Sequence, residues 1–270
     1  MVGWLNRIKN TLRPRSRWRA FRQTPHLYRE HFRYALRRSL LPEIKFCVWV
    51  TSPATGARFH LSADLIDDAI AQDIVSQPEK LFPKPELLKA HTGAILDVGG
   101  HHGLYAAEAL RRFPDRRLIV VEPHPGWCGL IKKNLGGNGG LTRARIVNAC
   151  LAADRGKRTL HFDPDSSWGA TVQAGGDSLL AVEVESLPLL DILQGEPVAM
   201  IYCNAEGAEY ALVPQLQQTN LRPAVMVMCV HPEYGNAQTL RRQVCEMGYA
   251  ERDASANPNR PVYHYTRNGP

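Results

Sequence analysis

No apolar run in the chain approaches the roughly 20 residues that a membrane-crossing helix needs. The longest strong one, Ala-Val-Met-Val-Met-Cys-Val at 224–230, has the length of a buried strand. The N-terminus lacks the apolar core of a secretory leader, so the expected compartment is the cytoplasm, including the inner face of the membrane as a peripheral station. Cysteines number six, at positions 47, 128, 150, 203, 229 and 245, and no two stand as C-x-x-C. That spacing argues against a zinc knuckle or a disulfide framework. No glycine-rich turn is followed by Gly-Lys-Ser/Thr, which excludes a P-loop.

What is present suits a soluble fold: 44% of the 270 residues are hydrophobic, enough for one large domain with an appendage. The net charge of +7 is unevenly placed. Residues 1–45 hold twelve basic and two acidic side chains, a balance of +10, and the remainder carries −3. Within this arm, Trp4, Ile8 and Leu12 recur at helical spacing, as do Tyr28, Phe32, Leu36 and Leu40 beside Arg29, Arg33 and Arg37. Three readings fit such a segment: a helix docked on its own domain, attachment to an anionic membrane surface, or contact with nucleic acid. Composition alone makes the last the weakest, so nucleic acid is not the expected partner.

Residues 46–93 read as a lead-in, with a hairpin around the turn at 53–56 and a mostly helical stretch over 62–90. From 94 to the end, strands and helices alternate. Strands are predicted at 94–98, in Arg-Leu-Ile-Val-Val-Glu-Pro, in Ala-Arg-Ile-Val-Asn-Ala-Cys-Leu-Ala, and around 197–205 and 223–231. Pro-Val-Tyr-His-Tyr-Thr-Arg at 261–267 reads as a final antiparallel edge strand. The rhythm implies an α/β fold with a parallel sheet covered by helices on both faces.

The ligand end of such a sheet is the carboxyl edge of its strands. There the chain carries Ala-Ile-Leu-Asp-Val-Gly-Gly-His-His-Gly at 94–103. Asp97 precedes the glycines and would repel a phosphate, but suits a cationic sulfonium. Glu122 ends the next strand, where a carboxylate accepts both hydroxyls of a ribose. This pairing describes S-adenosylmethionine better than NAD. His101 and His102 are adjacent, so one is expected to line the pocket and the other to face away.

These segments, in order with Arg-Ile-Val-Asn-Ala-Cys-Leu, Val-Glu-Val-Glu-Ser-Leu-Pro-Leu-Leu-Asp-Ile-Leu and Asn-Ala-Glu-Gly-Ala-Glu-Tyr-Ala-Leu-Val, resemble the FkbM-type methyltransferases over about residues 46–235. The resemblance implies a Rossmann-like, seven-stranded class I methyltransferase fold with S-adenosylmethionine as methyl donor. It also implies O-methylation of a saccharide or natural-product hydroxyl. Asp97, Gly99, Gly103 and Glu122 match its cofactor motifs, with His101 beside them, and Glu206 and Gly207 match a later acidic motif. The departures are His101 in place of an asparagine, Tyr202 in place of a lysine, Asn204 in place of an aspartate and Cys229 in place of a glutamate.

Methyl transfer to a hydroxyl needs positioning and a base. His231 and Glu206 follow adjacent strands and are the candidate bases; Asn204 offers an amide to the cofactor or to a sugar hydroxyl. With Asn204 and Cys229 in place of carboxylates, no metal is expected. The acceptor is expected to be a small molecule or a glycan, including a lipid-linked one. Two alternatives stand beside this: a family member that binds S-adenosylmethionine or a partner without methylating, and an RNA methyltransferase. An Asn-Pro-Pro-aromatic loop, which would favour RNA base methylation, is missing after the strand at 197–205.

Overall fold

A computed structural model describes residues 47–61, 65–163, 166–172, 180–253 and 260–267. The basic arm of residues 1–45, with its predicted helices, lies outside the described residues.

The chain opens with strands β1 (Val48–Thr51) and β2 (Arg58–Leu61), which pair antiparallel as the hairpin read from the sequence. Helices α1 (Leu65–Ser76) and α2 (Pro78–Leu81) follow. The core then runs β3 (Ala94–Val98), α3 (Leu104–Arg112), β4 (Leu118–Val121), α4 (Pro125–Gly137) and β5 (Ala144–Val147). A second set comprises β6 (Cys150–Leu151), β7 (Gly156–Asp163), β8 (Ser166–Thr171) and β9 (Leu180–Leu187). The main sheet resumes with α5 (Leu189–Leu193), β10 (Val198–Cys203), α6 (Glu209–Gln218) and β11 (Val225–Cys229). It closes with α7 (Ala237–Glu246), β12 (Tyr249–Asp253) and β13 (Val262–Arg267).

Seven strands form the main sheet in the order β12-β13-β11-β10-β3-β4-β5. Pairings from β11 across to β5 are parallel, and β13 runs antiparallel to both neighbours. The sheet is buried on both faces, which is why its strands read as continuous apolar runs. Side chains alternate between two cores. Ile95, Met200 and Val227 face one that holds the hairpin, α1, α3 and α4; Leu96, Ile201 and Met226 face the other, with α5, α6 and α7. The lead-in shares the first core through Val50, Phe59 and Ile74.

Two expectations need correction. The strand at 261–267 is not at the edge: β12 pairs outside it, and its Val262, Tyr263, His264 and Tyr265 are all buried. The edge strand, Tyr-Ala-Glu-Arg-Asp, carries three charged residues in five, a composition typical of an exposed edge and poor as a strand signal. Likewise the single strand read over 144–152 is two. β5 stays in the main sheet, whereas β6 pairs parallel with β9 in a separate sheet of order β6-β9-β7-β8. At the break, the Asn148 side-chain amide donates to the carbonyls of Glu122 and Pro123 and holds the chain where it leaves the main sheet.

Candidate functional site

β3 lies between β4, which follows it, and β10, which arrives from the other direction, so strand order reverses there and a crevice opens at the carboxyl ends. A cleft of 540 Å³ occupies this place. The turn after β3 forms its floor, the second sheet forms one wall through Leu151, Arg158 and Thr171, and Ile70 and Leu81 border the other side.

The glycine turn is shaped for close approach. Gly99 has φ +91°, and a Cβ there would collide with the Asn204 carbonyl, so the loops after β3 and β10 meet only because this residue has no side chain. Gly103 has φ +82° and caps α3; a Cβ would stand 2.9 Å from Ile131 Cα. Gly99 lines the cleft and Gly103 packs the helix beneath it. His101 adopts φ +48° without being glycine, a strained conformation of the kind held at functional turns.

Glu122 is 3% exposed and lines the cleft, accepting hydrogen bonds from the His101 amide at 2.8 Å and the His124 amide at 2.7 Å. Burial pushes its carboxyl up to about 8, against the pull of those two donors. Strand alternation turns Asp97 toward the α3 side, where it is fully buried beside Tyr202 and Tyr105 and outside the residues that line the cleft. Neither of its oxygens is hydrogen-bonded to a described residue, and burial pushes its carboxyl up to about 8.

Of the two adjacent histidines, His101 lines the cleft, as expected of one of them, but His102 is buried instead of facing away. Their rings stack at 3.9 Å, and both face Asp67 of α1, with His102 Nδ1 2.6 Å and His101 Nδ1 3.9 Å from its Oδ1. The positive φ at His101 brings the two rings to one side. Asp67 and His102 are buried, so their hydrogen bond ties α1 to the turn. These three residues bring possible metal ligands within 4.8 Å of one another, a grouping that linear spacing does not show.

The acceptor side is built by the loop after β10 and the end of β11. Asn204 is exposed in the cleft, and its amide donates to the Tyr202 hydroxyl at 3.4 Å. Glu206 adopts φ +27°, and Thr171 of the second sheet donates to its carbonyl at 3.1 Å. Its Oε1 accepts from Arg260 at 2.6 Å, and its Oε2 lies 3.7 Å from His231 Nε2. The His231 ring is held from behind by Glu209, whose Oε1 lies 3.0 Å from Nδ1. Burial disfavours the imidazolium, but the hydrogen bond with Glu209 and the charges of Glu209 and Glu206 outweigh it and raise the pKa above its ordinary value. Cys229 lines the same wall beside Tyr202, with its thiol pushed up to about 12 by burial. The sequence-predicted Glu206, His231 and Asn204 thus converge on one cleft with Gly99, His101 and Glu122.

No protein-family model and no curated protein matches the chain. Among solved structures, it is similar to the METTL16 methyltransferase domain at a TM-score of 0.51 and 13% identity, covering 94% of this chain and 91% of that one. The chain has the Rossmann-like methyltransferase fold. It is also similar to precorrin-6y C5,15-methyltransferase from Geobacter metallireducens GS-15, with a TM-score of 0.43, 15% identity, and 71% and 86% of the two chains covered. A third similar structure is Aeropyrum pernix fibrillarin with natively bound S-adenosyl-L-methionine, at a TM-score of 0.41 and 12% identity, covering 64% and 66%.

On this methyltransferase fold, Glu209, Arg260 and Asp67 are the residues that motif reading passed over. Glu209 had a local signal, a second acid three residues after Glu206 at the start of a helix. Arg260 and Asp67 had none, because they arrive from segments distant in sequence: Arg260 from just before β13 and Asp67 from the lead-in helix.

Proposed function

We propose that the protein is an S-adenosylmethionine-dependent O-methyltransferase acting on a hydroxyl of a saccharide or natural product, as the FkbM-type resemblance implies. The observation that carries this reading is one cleft lined by both Glu122 and the His231–Glu206 pair. The residues present fit the cofactor. Gly99 leaves room for backbone approach, and Glu122 is fixed by two amides with lone pairs remaining for ribose hydroxyls. Asp97 is buried without a hydrogen-bond partner next to Val98 and Gly99 of the lining, and its ionised form would be favoured by a cationic ligand in the cleft.

When bound, S-adenosylmethionine supplies an electrophilic methyl on a positively charged sulfur. The chain's own groups then do three things. The walls orient the acceptor, which in favourable cases contributes roughly 7–11 kcal/mol. His231 or Glu206 receives the hydroxyl proton, worth a factor of about 10²–10⁴. The apolar parts of the cleft, including Leu151, Ala170 and Val262, limit access of water.

Charge favours a neutral acceptor over a polyphosphate. The ionisable lining sets Lys80, Arg158 and Arg260 against Asp73, Glu122, Asp154 and Glu206, and each cation is paired with a carboxylate. The basic residues 1–45 then serve attachment to an anionic membrane surface, beside a lipid-linked glycan. Release of S-adenosylhomocysteine against a panel of hydroxyl acceptors tests the reading. Cofactor binding with no turnover on any of them would favour a binding protein, and turnover on RNA alone would replace the acceptor class.

A further inference from the structure

Two groups in the cleft are able to take the acceptor's proton, and a third residue behind them chooses between the two. We propose that Glu209 is the positioning residue that makes His231 the base, by holding the proton on Nδ1 and turning the Nε2 lone pair toward the acceptor. This inference rests on the proposed methyl transfer to a hydroxyl.

Glu209 opens α6, is fully buried and does not line the cleft. Its Oε1 accepts from the His231 backbone amide at 2.7 Å and stands 3.0 Å from the ring Nδ1, and its Oε2 accepts from the Gly207 amide at 3.1 Å. A buried carboxylate with several donors is a fixed acceptor. An ionised carboxylate cannot donate, so the neutral imidazole must carry its hydrogen on Nδ1, which leaves Nε2 as the acceptor. Nε2 has no hydrogen-bond partner among the described residues, and His231 is one of the residues that line the cleft. Glu206 differs in carrying a cationic partner: Arg260 donates to its Oε1, while its Oε2, also without a hydrogen bond to a described residue, is too far from Nε2 to make one.

The step balances within these groups. As the hydroxyl oxygen bonds the methyl carbon, the S–CH3 electron pair stays on sulfur and the hydroxyl proton moves to Nε2. The resulting imidazolium lies between the carboxylates of Glu209 and Glu206, then loses its proton to solvent. Arg260 opposes that charge from the cleft side; among the described residues, the Tyr234 ring lies 6.3 Å away and the Tyr210 hydroxyl donates to the His231 carbonyl.

The test is ¹⁵N-histidine NMR of the full chain through about pH 5 to 9, with the His231 signals assigned by their loss in His231→Asn. The expected wild-type spectrum shows the neutral ring protonated on Nδ1, with a pKa above about 6.5. Glu209→Gln is expected to lower that pKa, and by more than Glu206→Gln does. A wild-type ring protonated on Nε2, or a folded Glu209→Gln protein with an unchanged His231 pKa, would overturn the assignment. If Glu209→Gln does not fold, the wild-type tautomer decides alone. Calorimetry of the same sample with S-adenosylmethionine separates the two levels: absent binding would overturn the functional reading on which the inference rests, whatever the tautomer.

Discussion

His231 Nε2 stands 3.7 Å from Glu206 Oε2, and neither atom is hydrogen-bonded to any described residue. Two proton acceptors thus share one wall of a cleft without satisfying each other. A hydroxyl arriving beside the pair could donate to either atom.

The pH dependence follows from the raised His231 pKa. A general base works in its neutral form, so kcat/KM should climb as pH rises through a value above about 6.5, the ordinary histidine pKa. His231→Gln should lower kcat by about 10²–10⁴ and remove this acidic limb. A pH–rate profile of the two proteins, with a retained limb in the variant, would assign the titration to another group.

Asp97 and Glu122 are each pushed up to about 8 by burial. At pH 7 both are therefore largely protonated before a ligand arrives. A cationic ligand favours their ionised forms, so S-adenosylmethionine binding should release protons, and affinity should rise with pH until about 8. Calorimetry in buffers of different ionisation enthalpy measures that release; proton uptake would contradict the cation match.

Chelation should leave activity unchanged. Asn204 and Cys229 offer no hard carboxylate at the cleft, and the Oδ1 of Asp67, which faces both His101 and His102, already lies 2.6 Å from His102. Assay after EDTA treatment checks this. Activity lost and then restored by magnesium or manganese would make the Asp67–His101–His102 group the first place to look.

Deletion of residues 1–40 should abolish sedimentation with anionic vesicles, because attraction to such lipid is worth roughly 1 kcal/mol per basic residue near the surface. Cofactor affinity should be nearly unchanged. Co-sedimentation at physiological salt and calorimetry of the truncated chain check both halves, and a full-length protein that ignores the vesicles would return the arm to a docked-helix role.

Much of this was legible in the chain because parallel strands announce themselves. Ala-Ile-Leu-Asp-Val and Val-Ala-Met-Ile-Tyr-Cys are buried on both faces, and their apolar runs end where the functional loops begin. The positions of Glu122, Glu206 and His231 are legible for the same reason, since each follows a strand end that topology carries to the cleft. The side of the sheet that Asp97 enters is set by the register of β3, which the motif does not show. The joint orientation of His101 and His102 depends on a backbone angle, and the partnership of Glu206 with Arg260 joins segments 54 residues apart. Neither leaves a trace in local pattern. The charged strand β12 failed as a signal because an edge strand requires little hydrophobicity.

The most direct measurement is calorimetric binding of S-adenosylmethionine to the wild-type chain and to Glu122→Ala. Measured above about pH 8, where the Glu122 carboxylate is ionised, wild type should bind one equivalent, and the variant should bind more weakly by about 1.5–3 kcal/mol, the worth of hydrogen bonds to a charged group. A wild-type protein that takes up NAD instead, or a folded variant with undiminished affinity for S-adenosylmethionine, would contradict the assignment of this cleft.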